Sequence, residues 1–286
     1  MSFLVLDGLS KSYGDTHALI DMHLAVERGE FISMLGPSGC GKTTTLQALA
    51  RFVQATRGRI VLDGRDITHL PPKQRGLGMV IEPPVLLLDE PLSNLDAQLR
   101  EAMQFELRRI QRKLGITTIM VTHDQAEALS INDRVVVMQA GRVQQVDAPH
   151  RLCEHPNNRF ISGFVGKANL LRGRVRGAGV ALANGLVLPL AASVGAAPAD
   201  GAEVTLYLRP EKLGFASDPS TGRLAARIEE RFFLGSQWLY RVSGTLGELE
   251  VRCPNNNQAP WPEHADVQLT WADDVARLLP AEVGVA

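Results

Sequence analysis

The sequence predicts a two-part molecule: an α/β core, a parallel sheet with an antiparallel β subdomain, followed by an all-β domain. Three observations carry that expectation. The apolar run Phe31–Leu35 leads into Gly36-Pro-Ser-Gly-Cys-Gly-Lys-Thr-Thr44 and then into a helical stretch, Thr44–Ala50. A second apolar run, Val85–Leu88, ends in two adjacent carboxylates, Asp89 and Glu90. Near Val165 the mixed helix-and-strand pattern gives way to short β segments separated by turn residues. With 286 residues the chain has the length of about two domains.

Composition narrows the function classes. An apolar fraction of 45% with 21% charged residues is ordinary for a chain that buries a core. A net charge of -1, with no Lys/Arg cluster, gives no footprint for nucleic acid. Cys40, Cys153 and Cys253 are far apart and odd in number, which argues against a disulfide framework or a zinc site and fits reduced cytosolic thiols. The start, Met1–Asp7, is too short and too soon charged for a signal peptide. No run reaches the ~18–20 apolar residues that span a bilayer. Any membrane association is therefore expected through a partner.

In chain order, Phe3–Leu6 and Ala18–Val26 read as strands with a turn at Tyr13-Gly-Asp15 between them. Tyr13 has two readings, a half-exposed aromatic at a strand end or a ring that stacks on a nucleobase. Gly36, Pro37, Ser38, Gly39, Cys40, Gly41, Lys42, Thr43 and Thr44 fit G-x-x-x-x-G-K-[ST] between a strand and a helix, which is the arrangement a phosphate cradle needs. The glycines let backbone N–H groups converge on phosphate oxygens. Lys42 adds charge for the β/γ-phosphates, Thr43 offers a hydroxyl to Mg²⁺, and the helix N-terminus adds its positive end. Cys40 reads as a small residue that fits the loop, with a redox role as the alternative.

After this helix, Gly58–Gly64 reads as a short strand entering an Asp-Gly turn, Pro71-Pro72 marks a loop, and Leu77–Val80 is a brief strand. Val85–Leu88 reads as a fully buried parallel strand that delivers Asp89 and Glu90 to its C-terminal edge, where open α/β sheets bind ligands. Asp89 is placed to hold the metal through water, and Glu90 to orient or deprotonate an attacking water. Ser93, Asn94, Leu95 and Asp96 form a turn and cap. Leu99, Met103, Leu107, Ile110 and Leu114 recur at helical spacing up to Gly115, and the charged residues between them read as a solvated face. Ile116–Val121 is a further buried strand; it brings His123 to the same edge for a γ-phosphate contact. Arg134–Met138 and Arg142–Val146 form a hairpin around Ala140-Gly141.

Taken in order, these segments resemble the ATPase subunit of ABC transporters, with an α/β P-loop NTPase core. Tyr13 corresponds to the A-loop, Gly36–Thr44 to Walker A, Val85–Pro91 to Walker B, Ser93–Asp96 to the D-loop at the dimer interface, and His123 to the H-loop. Arg159–Asn169 and Leu206–Glu211 resemble the importer branch with a C-terminal OB-like regulatory domain, among which polyamine, ferric-iron and phosphonate uptake ATPases are most similar. The resemblance implies a nucleotide-binding domain over residues 1–164 and a regulatory β domain over 165–286. It also implies ATP and Mg²⁺, a homodimer, transmembrane permease subunits and a solute-binding protein as partners, and a cytoplasmic place on the inner face of the cell membrane.

One departure stands out. The family carries a glutamine loop, a helical subdomain and an LSGGQ signature between the strand resembling Leu77–Val80 and Walker B. Here Ile81-Glu-Pro-Pro84 alone separates the two, and no LSGGQ occurs. The missing block is roughly 75–80 residues in a typical relative, far beyond ordinary loop length. Two parallel neighbours need a crossover of about a dozen residues. Four residues reach at most ~14 Å, less than the ~17 Å of a five-residue strand, so Leu77–Val80 is expected to be displaced while the Walker B strand survives. In the family the signature loop of one subunit caps the γ-phosphate held by the other. Nucleotide binding is therefore expected to be kept and hydrolysis to be crippled.

In the second part, Leu170–Val175, Val180–Ala183, Glu203–Leu208, Leu224–Phe233, Trp238–Val242, Glu248–Val251 and Asp266–Trp271 read as strands of a small barrel or sandwich. Ala191–Ala202 reads as a surface loop. Phe232, Phe233, Trp238 and Tyr240 read as core, with a base-stacking platform as the alternative. Three functions follow: an importer's energy-coupling ATPase, a non-hydrolysing ATP-binding or dimerisation module, and, disfavoured by charge, a nucleic-acid ATPase.

Overall fold

The computed structural model describes residues 2–75, 84–189 and 198–279, and the chain divides into two compact units, Met1–Glu154 and His155–Ala286. Along the first unit run β1 (Leu4–Tyr13), β2 (Thr16–Val26), β3 (Phe31–Leu35), α1 (Lys42–Ala50), β4 (Arg57–Leu62), β5 (Arg65–Asp66), β6 (Val85–Asp89), α2 (Ala97–Leu114), β7 (Thr117–Thr122), α3 (Gln125–Ile131), β8 (Arg134–Gln139), β9 (Arg142–Asp147) and α4 (Pro149–Glu154). One sheet has the order β2-β1-β4-β5 and is antiparallel. The other has the order β6-β7-β3-β8-β9, with β6, β7, β3 and β8 parallel and β9 returning antiparallel.

The central strands β3 and β7 are buried at every residue, as strands covered on both faces must be. The Walker B strand differs from the expectation. Val85 is buried, but Leu86, Leu87 and Leu88 are only partly so, because among the described residues β6 pairs on one side alone, with β7. Leu77–Val80, with its expected displacement, lies outside the described residues.

Helix α2 has the predicted length and ends at Gly115, whose φ of 62° suits glycine. The solvated-face reading holds for Glu101, Arg109 and Arg112, which are exposed, and fails for Arg100, which pairs with Asp124, and Arg108, which pairs with Asp133; Gln104 and Gln111 beside them are buried. The apolar stripe is exposed instead at Leu99, Met103, Ile110 and Leu114. Leu107 alone of the five is half-buried, against the cluster of Phe31, Met120 and Ile131.

The C-terminal end of α1 is tied down by a residue that sequence pattern does not mark. Arg75 is buried and donates to the carbonyls of Ala48 at 2.9 Å, Leu49 at 2.5 Å, Leu70 at 2.9 Å and Thr68 at 2.6 Å. A cation on the last carbonyls of a helix complements its dipole. Burial pulls the Arg75 pKa to about 10, which keeps it charged at neutral pH. Arg75→Met takes a donor from four carbonyls, of which Ala48 and Thr68 keep one from Arg51, and is expected to cost about 3 kcal/mol. Thermal melting of the variant should fall by roughly 6–12 °C; an unchanged melting point contradicts this role.

The second unit holds α5 (Arg159–Phe164), β10 (Asn169–Arg176), β11 (Gly179–Leu182), β12 (Val187–Pro189), β13 (Glu203–Leu208), β14 (Gly214–Phe215), β15 (Leu224–Phe233), β16 (Gln237–Gly244), β17 (Gly247–Pro254), β18 (Asp266–Thr270) and β19 (Arg277–Leu279). They form two five-stranded sheets, β12-β11-β10-β13-β19 and β14-β18-β15-β16-β17, antiparallel at every pairing. Their shared core includes Leu171, Leu206, Ile228, Val242, Val251 and Leu269. Asn169 donates to the Glu250 carbonyl and accepts from its N–H, both at 2.8 Å, which stitches one sheet to the other. The core reading holds for Tyr240, which is buried, and fails for Phe232 and Phe233, which are exposed near the end of β15. Of Ala191–Ala202, residues 191–197 lie outside the described residues.

Candidate nucleotide site

Parallel β6, β7 and β3 end at one edge, so the segments that follow them meet there. The loop after β3 turns through two left-handed glycines, Gly39 at φ 77° and Gly41 at φ 103°. At Gly41 a Cβ would also stand 2.5 Å from the Ala18 carbonyl oxygen and 2.8 Å from Leu19 Cδ2, so strain and space both require glycine. Gly36 is enclosed by the Met138 carbonyl and Cys40 Sγ. Pro37 and Ser38 are exposed, and Thr44 is half-buried on α1, which begins at Lys42, two residues before the sequence-read start. Cys40 packs into the core beneath the loop, as the small-residue reading expects.

Lys42 is buried, and its Nζ donates to the carbonyls of Gly36 at 2.7 Å and Pro37 at 3.0 Å. The loop is braced from below, where the Gly141 N–H donates to the Cys40 carbonyl at 3.1 Å. Sequence reading recognised Ala140-Gly141 as a hairpin turn, but nothing in the pattern shows what that turn supports. Tyr13 ends β1 opposite Thr16, about half exposed, with the Lys11 ammonium 4.6 Å from its ring centroid.

Two pairs form across the edge. Thr43 Oγ1 lies 3.5 Å from Asp89 Oδ1, joining the phosphate loop to β6. His123 Nδ1 lies 3.1 Å from Glu90 Oε1, joining the ends of β7 and β6. Glu90 adopts φ 46°, a conformation that costs a side-chain-bearing residue energy and here turns its carboxylate toward His123. The Glu90 N–H donates to the Val121 carbonyl at 2.9 Å, and the Ser93 hydroxyl donates to the Glu90 carbonyl at 3.0 Å.

The turn continues with Asn94 exposed and Asp96 capping α2, its Oδ1 accepting from the Leu99 N–H at 2.9 Å. Arg100, read from sequence as surface charge, donates to the Leu95 carbonyl at 3.0 Å and pairs with Asp124 at 3.1 Å. It therefore ties the Ser93–Asp96 turn to the residue after His123. Behind that residue, the Thr122 hydroxyl donates to Glu127 Oε2 and also accepts from the Asp124 N–H at 3.0 Å. Glu127 is buried, and its Oε1 has no hydrogen-bond partner.

Burial pushes the Glu127 pKa up, more than the Thr122 hydrogen bond lowers it. An acid with a raised folded-state pKa adds stability below its unfolded value, and that stability is lost as pH rises through the folded value. Glu127→Gln keeps the acceptor and removes the charge. It should melt at a higher temperature than the parent at pH 8, with the gap closing as pH falls through the raised folded value and closed by about 4.3, the ordinary Glu value. A variant that melts lower than the parent at pH 8 contradicts this.

The sequence profile of the ABC transporter family matches residues 19–140, and that of the TOBE domain matches residues 206–279. The spermidine/putrescine import ATP-binding protein PotA of Acidothermus cellulolyticus is 35% identical over 340 positions, covering 90% of this chain and 88% of the relative. The sulfate/thiosulfate import ATP-binding protein CysA 2 of Chromobacterium violaceum is 35% identical, covering 84% and 83%. The first alignment is longer than the 286-residue chain itself, so the relative carries sequence with no counterpart here. Among solved structures, the ADP conformation of MJ1267, an ATP-binding cassette of an ABC transporter, superposes with a TM-score of 0.51 at 16% identity, covering 57% of this chain and 98% of that one. That likeness speaks for the fold. The chain belongs to the ABC transporter family, as an importer-type ATP-binding subunit with a C-terminal all-β TOBE domain and without the LSGGQ signature.

Proposed function

We propose that this chain binds MgATP at the Gly36–Thr44 loop and is built as the energy-coupling subunit of an importer for a small solute. On this reading hydrolysis is crippled by the missing signature block. The observation that carries the proposal is the meeting of Thr43 with Asp89 and of His123 with Glu90 at one sheet edge, from segments far apart in the chain. The oxygen donors Thr43 and Asp89 suit Mg²⁺, which is held by one or two protein oxygens plus water and phosphate. Among the described residues no group of three or more His, Cys, Asp or Glu side chains gathers to hold a metal, so the other positions fall to water and phosphate. The bound ion would neutralise phosphate charge. Lys42 would stabilise the β/γ-phosphates, Glu90 would orient the attacking water, and His123 would hold Glu90 and contact the γ-phosphate.

Polyamine is the solute class assigned, by likeness to the PotA relative; ferric iron and phosphonate are the alternatives of the sequence reading. Among the described residues no helix is long and apolar enough to cross a membrane. By likeness to the import ATP-binding relatives, the proposed place is cytoplasmic, peripheral to permease subunits that work with a solute-binding protein, and the proposed assembly on ATP is a homodimer through Ser93–Asp96.

The test is the Mg²⁺ dependence of ATP affinity, measured by isothermal titration. Chelating Mg²⁺ should weaken the parent about tenfold or more, as loss of a charged partner does. Thr43→Ala and Asp89→Asn should bind as weakly with Mg²⁺ as the parent does without it. A full Mg²⁺ effect in both variants removes the proposed metal site.

A further inference from the structure

Helix α2 exposes an apolar stripe whose spacing reads the same in both directions. Leu99 is 45% exposed, Met103 40%, Ile110 49% and Leu114 55%. At 3.6 residues per turn these four lie within a narrow arc of the helix, about 60° wide. The intervals run four, seven, four. A second α2 laid antiparallel against the first therefore sets Leu99 on Leu114 and Met103 on Ile110, then repeats both pairs across a two-fold axis between residues 106 and 107. Self-complementarity of this kind is what an isologous interface requires.

Charge supports the same orientation. Both acidic residues of α2, Glu101 and Glu106, lie in its first ten residues, where the one cation, Arg100, is paired with Asp124; Arg109, Arg112 and Lys113 crowd its last seven, beside Arg108, which is paired with Asp133. Antiparallel pairing places the basic half of one helix beside the acidic half of the other and opposes the two helix dipoles. A parallel pairing would stack like on like. Near the axis, Glu106 and Arg109 already form a pair at 2.7 Å, and the same pair from the second copy would face it. The opposite flank is committed within the unit through Arg100, Gln104 and Arg108.

We propose that the exposed stripe of α2 is a self-association surface, by which two copies of this chain pair through antiparallel α2 helices without nucleotide. This dimer is distinct from the ATP-dependent one proposed above and does not rest on it. The four side chains offer about 350 Å² per copy, or about 700 Å² for the pair, short of the ~1,200 Å² at which stable complexes begin. The dimer is accordingly weak, with a Kd on the order of 10–100 μM.

Sedimentation equilibrium of the full chain, without nucleotide, from about 5 to about 500 μM, tests this. A monomer–dimer equilibrium is expected before any nucleotide is added. Met103→Glu and Ile110→Glu should each weaken it tenfold or more. Phe105→Glu, which replaces an exposed apolar residue off the stripe, should leave it unchanged. All three sites face solvent, and thermal melting checks that each variant folds. Orientation is read by mixing Met103→Cys with Ile110→Cys under oxidation: the mixture should form disulfide-linked dimers above the parent's background, and neither variant alone should. A parent that stays monomeric at the highest concentration overturns the proposal, including one whose stripe binds lipid vesicles instead. So does a dimer that survives both stripe variants or forms only with ATP. Nucleotide affinity, measured on the same samples, reports separately on the loop.

Discussion

Replacing Lys42 with alanine lowers the affinity for MgATP by roughly 30- to 150-fold, the value of a charged hydrogen bond at about 2–3 kcal/mol. The size of the effect follows from where the side chain sits. Lys42 is buried at the start of α1 and reaches back over its own loop to the carbonyls of Gly36 and Pro37. The ammonium is thereby fixed at the rim of the phosphate cradle and loses little further freedom when a phosphate arrives. Its charge also acts in a partly desolvated place, where Coulomb attraction is stronger than in water. Lys42→Ala removes a donor from both carbonyls, although that of Pro37 keeps the Cys40 N–H at 3.3 Å, so a modest fall in melting temperature accompanies the loss. Comparing Lys42→Ala with Lys42→Arg separates the two effects: arginine keeps the charge but not the compact reach, and should recover part of the affinity. Unchanged affinity in Lys42→Ala would place the nucleotide elsewhere.

Turnover by the isolated chain stays near 0.01–0.1 s⁻¹ or lower. A typical enzyme turns over at about 10 s⁻¹, and loss of a single donor to the transition state costs about 10²–10³. Here the whole signature loop is missing. The structure gives a second reason. The side chains of Glu90 and His123 are 39% and 61% exposed, so water screens the pair that should act on the nucleophile. An intact relative of the importer type, mixed with this chain, can offer its signature loop across a mixed dimer. With the relative's own catalytic glutamate replaced by glutamine, so that only this chain's site can turn over, steady-state phosphate release should then rise at least tenfold over the sum of the separate proteins. Glu90→Gln in this chain should cancel that gain while leaving ATP affinity intact. A mixture no faster than the sum rules out rescue in trans.

Much of this architecture is legible in the sequence because local pattern and tertiary role coincide there. Phe31–Leu35 and Thr117–Thr122 are short runs of apolar and β-branched residues, and both are buried at every position. The phosphate loop is legible because its conformation excludes most residue types: Gly41 answers to a left-handed φ and to the Ala18 carbonyl together. Periodicity predicts the stripe on α2, yet it cannot say whether anything covers that stripe. Leu99, Met103, Ile110 and Leu114 look like core residues and stand exposed. The short strands β12, β14 and β19 span two or three residues, too few for alternation to register. Arg75, Arg100 and Glu127 are missed for a different reason. Charged residues default to the surface, and only the folded arrangement of carbonyls, Asp124 and Thr122 accounts for the partners these three take.

The measurement that tests the central account most directly follows the fate of nucleotide on one sample. The chain is loaded with radiolabelled MgATP, freed of unbound nucleotide by rapid gel filtration, and sampled over several minutes for bound ATP and ADP. The account predicts nucleotide retained in a one-to-one complex that depends on Lys42, with the bound ATP decaying with a half-life of about 7 s or longer, given turnover of about 0.01–0.1 s⁻¹ or less. Rapid conversion to ADP at one or more turnovers per second would show that Glu90 and His123 suffice without the signature loop. That result would contradict the account.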